Sequence, residues 1–162
     1  MPENRPRNPS RKPLYTADER ARRDASRWTL VQGILAPVQF LVFVVSLILV
    51  LRYLATGDGY WAATVSVVVK TATLYLIMVT GAIWEKVVFG QYLLAPAFFW
   101  EDMFSFAVIT LHSAYIIGLW TGMLSPDALM LLALAAYATY VINATQFLRK
   151  LRLARLDAAV PQ

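Results

Sequence analysis

Six ionisable side chains stand where so apolar a chain should not carry them. From Trp84 to His112 the sequence reads WEKVVFGQYLLAPAFFWEDMFSFAVITLH, with Glu85, Lys86, Glu101, Asp102 and the sole histidine, His112. Lys70 interrupts another greasy run, VVVKTATLYLIMV. A charge at the centre of a membrane helix costs roughly 2.5–3.5 kcal/mol, and such residues mark functional sites facing a bundle interior. Two adjacent carboxyl groups and a third nearby can divide acid and base roles. One walled by apolar groups holds its proton, and one in polar surroundings stays ionised. Each residue also has a plainer reading. Glu101 and Asp102 would compensate a helix N-terminal dipole. Glu85 and Lys86 would be solvated at a helix end. Lys70 would pair with a carboxylate or carbonyl, and His112 would be a hydrogen-bonded bundle residue.

Helical phase sorts these groups. Glu101 and His112 are eleven residues apart, so at ~100° per residue they return to nearly one face. Ser105 and Tyr115 lie near that stripe. One side of the segment thus offers carboxylate, hydroxyl, imidazole and phenol in a column. Asp102 points about 100° away from Glu101. The phase predicts that Glu101 looks into the bundle, as proton donor or cation stabiliser. Asp102 is then left to orient water, or to pair with Lys86 or Lys70. Trp84, Phe98, Phe99 and Trp100 could line a flat apolar pocket beside the acids.

Four apolar segments must position these residues. A spanning helix needs about 20 mostly apolar residues, and the chain, 59% hydrophobic with mean hydropathy +0.54, supplies four. They run at about 28–54, 61–84, 98–123 and 126–148. The expected fold is an all-α integral membrane protein, a bundle of four transmembrane helices. The expected organisation is a basic N-terminal tail with a short surface helix (1–27), a transmembrane domain (28–148) and a basic C-terminal tail (149–162). TGDGY, Thr56 to Tyr60, is a glycine-rich turn. In SPDA, Ser125 caps, Pro126 suits the first turn and Asp127 complements the dipole. Residues 1–27 hold eight of the fifteen Lys and Arg, Arg149, Lys150, Arg152 and Arg155 lie in the C-tail, and two of the connections hold none. That asymmetry predicts both termini on the cytoplasmic side. Counted inward from the opposite face at ~1.5 Å per residue, Lys70 lies ~15 Å deep and His112 ~16 Å deep. Glu85, Glu101 and Asp102 share a second level near the cytoplasmic face, joined by Gln32, Asn143 and Gln146.

Other signals narrow the classes. There is no cysteine, which excludes disulfides, thiolate metal sites and a Cys nucleophile. One histidine excludes bis-histidine haem ligation by one chain. The first apolar run is too long for a signal-peptide core and reads as a retained span. The positive charge sits in the tails, so it reads as topology and lipid attraction, not as a nucleic-acid surface. Thr16-x-x-Glu19 predicts a capping box, and the arginines that follow suit anionic headgroups or serve as a positive-inside anchor. Gly118-x-x-x-Gly122 would let a second helix approach and leaves a homo-oligomer open. Asn143-Ala144-Thr145 matches a glycosylation acceptor but falls inside a span. No phosphate loop, HExxH or Ser-His-Asp order is present.

LYTADERARRDASRWTLVQGILAPVQF, the LRYLATGDG turn and VVKTATLYLIMVTGAIWEKVVFGQYLLAPAFFWEDMFSFAVITLHSAY resemble the 2-vinyl (also numbered 3-vinyl) bacteriochlorophyllide hydratase family. WEKVVFG and APAFFWEDMFS are the most specific strings. The resemblance implies a hydro-lyase of bacteriochlorophyll a synthesis in phototrophic bacteria, in the cytoplasmic or intracytoplasmic membrane. It implies addition of water across the ring A vinyl group of a chlorophyllide or bacteriochlorophyllide, giving a 1-hydroxyethyl group. The partners implied are the magnesium-containing vinyl pigment, water, membrane lipids and other pigment-synthesis enzymes. Hydration of a conjugated vinyl needs no redox cofactor. On this reading Glu101, Asp102 and Glu85 are the catalytic candidates. The substrate-binding candidates are Trp84, Phe99, Trp100, Ser105, His112, Lys70 and Tyr115. His112 would ligate the pigment's magnesium axially or relay protons, and Lys70 would hold a pigment carboxylate or keep an acid ionised. The rival classes are a non-enzymatic pigment carrier or assembly factor, and a small proton-coupled transporter. The scarcity of polar residues on the side opposite the tails argues against transport.

Overall fold

The computed structural model describes residues 13–158, and every regular element among them is helical. A short helix, α1 (Ala17–Ala25), precedes four long ones: α2 (Arg27–Thr56), α3 (Tyr60–Phe89), α4 (Phe99–Thr121) and α5 (Pro126–Ala158). All four are long and apolar enough to cross a membrane. Leu30, Ile34, Phe40, Leu41, Trp120 and Leu131 are among the large side chains left on the outside. In water they would be costly, and against lipid tails they are solvated.

The chain is two antiparallel hairpins laid side by side, α2 with α3 and α4 with α5. The first closes through Gly57 and Gly59, both at positive φ (75° and 84°), where side chains are disfavoured. Its register is pinned by polar pairs: Trp84 Nε1 donates to Thr29 Oγ1 (2.9 Å), Gln32 Nε2 to Thr80 Oγ1 (2.7 Å), and Ser46 and Ser66 share a 2.7 Å bond. The second hairpin turns at Gly122. There Gly118 is the close-approach residue, because a Cβ on it would meet Leu124 Cδ1 at 2.7 Å. Gly118 is thus used within the chain, whereas Gly122 serves the turn at φ 66° with nothing packed on it. At the turn end of the bundle Tyr53 donates to Asp127 Oδ1 (2.8 Å), and the Ser125 hydroxyl caps α5 by accepting from the Ala128 amide (3.3 Å).

Two boundaries differ from the sequence expectation. Helix α3 continues past Trp84 to Phe89, and α5 runs through the expected basic tail to Ala158. Nothing in ATQFLRKLRLARLDA breaks a helix, and Arg155 in its last turn suits the dipole. At ~1.5 Å per residue α5 is ~50 Å long, well beyond a ~30 Å hydrocarbon core.

The Thr16 capping box forms as expected. The Glu19 amide donates to Thr16 Oγ1 (3.2 Å), and the Thr16 amide to Glu19 Oε2 (2.8 Å). Helix α1 does not lie free on a surface. It docks on the end of α3, where Arg22 Nε donates to the Val88 carbonyl (2.8 Å) and occupies an acceptor that the helix terminus leaves open. Tyr15, just before α1, is buried against Phe89 with ring centroids 5.9 Å apart and lies under the Arg23 guanidinium. Burial raises the Tyr15 phenol above its ordinary pKa.

Candidate active site

The acids converge where α3 ends and α4 begins. After Gly90 the chain loops over residues 91–98 and re-enters as α4, with Glu101 and Asp102 in its first turn. Glu85, Glu101 and Asp102 are all buried, at 5%, 6% and 3% exposure. The loop grips two of them. The Leu94 amide donates to Asp102 Oδ2 (2.7 Å), and the Ala95 amide to Glu85 Oε2 (3.2 Å). Leu94 adopts φ 60°, a left-handed conformation costly for leucine and held by that bond. Glu85 and Asp102 face each other within hydrogen-bonding reach. Two ionised carboxylates cannot share such a position, whereas one proton between them turns repulsion into a hydrogen bond.

Glu101 is partnered differently. Its Oε2 accepts from Lys150 Nζ at 2.5 Å. The same ammonium donates to the Ala97 carbonyl and lies over the Phe98 ring. Asn143 Nδ2 donates to the Glu101 carbonyl (2.7 Å), and the Ser105 hydroxyl donates to that carbonyl (2.9 Å) and to Asn143 Oδ1 (3.3 Å). One acid is therefore ion-paired with a lysine, and the other two face each other and the loop amides. Helical phase placed Glu101 facing inward, and it does. It did not foresee that Asp102 would face Glu85 and the Leu94 amide in place of Lys86 or Lys70. Lys86 instead donates to the Gly90 carbonyl (2.8 Å) and stays exposed.

The walls are aromatic, but not with the expected membership. Phe98 is 1% exposed and contacts Trp84 (5.6 Å), Phe89 (5.8 Å) and Phe147 (5.8 Å). Tyr15 closes the cluster from the side. Phe99 and Trp100 point outward, 40% and 68% exposed, because a helix that turns Glu101 and Asp102 inward must turn its preceding pair toward lipid. Sequence reasoning missed Lys150, counted only as tail charge, along with Phe147 and Tyr15. Lys150 follows Asn143 by seven residues, two helical turns on one face, and reading α5 onward would have found it.

Lys70, His112 and Tyr115 lie elsewhere, in the centre of the bundle, each 0% exposed. Lys70 Nζ sits 3.7 Å above the Tyr140 ring, and His112 packs on Tyr137 (5.8 Å). The axial path from Asp102 to His112 is ten residues, roughly 15 Å at the helical rise. His112 and the acids therefore occupy separate levels of the bundle.

Comparison with known proteins agrees with this chain's length and strings. The profile of the 2-vinyl bacteriochlorophyllide hydratase family matches residues 15–153. A protein named 2-vinyl bacteriochlorophyllide hydratase from Rhodobacter capsulatus is 71% identical over 157 residues, covering 96% of this chain and 91% of the relative. One of the same name from Cereibacter sphaeroides is 71% identical over 150 residues, covering 92% of each. No solved structure matches. The family match takes in α1 to α4, most of α5 and every buried acid, and the chain belongs to the 2-vinyl bacteriochlorophyllide hydratase family.

Proposed function

We propose that this chain hydrates the vinyl group of a bacteriochlorophyllide to a hydroxyethyl group, using the acids at the α3–α4 junction. The observation that carries the reading is the Glu85–Asp102 pair, buried, gripped by the Leu94 and Ala95 amides, and set beside an ion-paired Glu101. The proton shared by Glu85 and Asp102 passes to the terminal vinyl carbon. The adjacent carbon becomes cationic, with its charge spread into the macrocycle. Glu101, fixed by Lys150, is the carboxylate beside the pair that would stabilise that cation. Water adds to the cationic carbon and returns a proton to the carboxylate pair. One water is consumed, and the pair ends in its starting state.

The location suits an amphiphilic pigment. The acids lie within two turns of the ends of α3 and α4, where apolar walls and water meet. Trp84 and Ser105 remain in the wall. Phe99 and Trp100 serve as lipid-facing anchors at the rim, where the macrocycle would slide in. Both chain ends lie on the cytoplasmic side of a bacterial inner membrane, on the lysine and arginine distribution. The test is to incubate the purified protein with a vinyl bacteriochlorophyllide and follow mass and absorption. A product heavier by one water supports the reading. Pigment bound without conversion leaves a carrier instead.

A further inference from the structure

The centre of the bundle holds a second polar assembly, apart from the acids. All four long helices contribute to it. Ser46 of α2 shares hydrogen bonds with Ser66 of α3 (2.7 Å) and Tyr137 of α5 (2.6 Å). Tyr137 packs on His112 of α4, and Tyr140, one turn along α5, lies under Lys70 of α3. Thr64 and Tyr115 stand side by side near the same level. Of these groups, Lys70 Nζ, His112 Nε2, Tyr115 OH and Thr64 Oγ1 are fully enclosed; among the described residues Lys70 Nζ and His112 Nε2 find no hydrogen-bond partner, and the two hydroxyls find none beyond each other. Gln39 Oε1 is a further enclosed atom without a partner among the described residues. The antiparallel register, which sets Gln32 against Thr80 and Ser46 against Ser66, puts Gln39 near Thr73, within a turn of Lys70.

The chemistry of these atoms selects a ligand. His112 Nδ1 is 2.8 Å from the Val108 carbonyl. A carbonyl only accepts, so Nδ1 carries the hydrogen and Nε2 presents a lone pair. Lys70 can only donate, and Gln39 Oε1 can only accept. A small anion would satisfy Lys70 but repel Nε2 and Oε1. An apolar ligand would satisfy none of them. Water both donates and accepts, and internal waters characteristically join two to four buried polar groups. We infer that the core of this bundle encloses a bound water cluster, held by Lys70, His112, Thr64, Tyr115 and Gln39. The cluster solvates the Lys70 ammonium opposite its aromatic face on Tyr140. It explains how a lysine with no carboxylate near it among the described residues is tolerated at mid-membrane depth. It also gives His112 and Lys70 a role that does not require pigment to enter a closed core.

Hydroxyl-radical footprinting of the detergent-solubilised protein tests this directly. Radicals generated by X-rays label side chains beside enclosed water even where bulk solvent is excluded. Phe98 is the control, since it is equally enclosed but lies among aromatic rings. We expect Tyr115 and His112 to be oxidised several-fold faster than Phe98. After rapid mixing into water labelled with oxygen-18, their added oxygen should stay light longer than that at exposed Trp120. Lys70→Met and Thr64→Val should each reduce labelling of Tyr115. Labelling of Tyr115 and His112 no faster than Phe98 overturns the inference. So does immediate uptake of the heavy isotope, which would mean bulk access, or unchanged labelling in both variants.

Discussion

At the scale of single residues, three buried acids divide into a pair and a partnered one. Glu85→Gln and Asp102→Asn each leave the shared proton without its second acceptor. Losing an acid–base group typically costs about 10²–10⁴ in rate, and both variants should show that loss while still inserting in the membrane. The measurement is conversion of vinyl pigment at matched protein levels. Near-normal turnover in both would remove the pair from the chemistry. Glu101 is tied to Lys150, so Lys150→Met leaves a buried carboxylate without its cation. Breaking a fully buried pair costs 3–5 kcal/mol. With Lys150 26% exposed to solvent, roughly 1–3 kcal/mol is expected, discounted for screening. Glu101→Gln added to Lys150→Met should restore most of it. Thermal unfolding of the single and double variants in detergent measures this coupling, and additive losses would show that the contact is idle.

At the scale of elements, helix α1 and the α4–α5 hairpin carry separate expectations. Helix α1 has no buried residue of its own, so its hold on the bundle comes from Tyr15 and from Arg22 on the Val88 carbonyl. Tyr15→Ala should release it, read as faster trypsin cleavage at Arg20, Arg22 and Arg23. Equal cleavage rates would mean that the aromatic cluster does not hold the segment. In the hairpin, Gly118→Val forces a branched side chain against Leu124 and Leu129. Overpacking of this kind costs about 1–3 kcal/mol. The loss should appear in thermal stability with no change in oligomeric state, because the glycine serves a contact inside the chain. A shift in oligomeric state would instead assign Gly118 to an interface between copies.

At the scale of the whole molecule, polarity is unevenly distributed. The acid cluster, helix α1 and the long end of α5 gather at one end, and the short turns Gly57–Gly59 and Gly122–Ser125 close the other. With eight of the fifteen Lys and Arg in residues 1–27, the acid-bearing end is expected to face the cytoplasm. Reporters fused after Gln162 and inserted within Thr56–Tyr60 should report opposite sides. A cytoplasmic signal from the Thr56–Tyr60 turn would invert the bundle and place the acids on the far face.

Hydropathy alone determined that this chain has four long helices, because each must satisfy its own backbone hydrogen bonds in lipid. The capping box at Thr16 and the glycine turn at Gly57–Gly59 were equally legible, since both are local chemistry read over a few residues. Helical phase turned Glu101, Ser105, His112 and Tyr115 to one side of α4, and all four are buried. Phase cannot say which neighbour a side chain meets. That Asp102 faces Glu85, that Lys150 reaches Glu101 across 49 positions, and that Phe98 is enclosed while Phe99 and Trp100 are not depends on how the hairpins pack and on the path of residues 91–98. Depth counting put Lys70 and His112 at one level and the acids at another, but only the packed bundle encloses the first two among tyrosines. Periodicity is a property of one helix, whereas a site is made by side chains from several, and their meeting is decided by tertiary contacts that no single stretch of sequence contains.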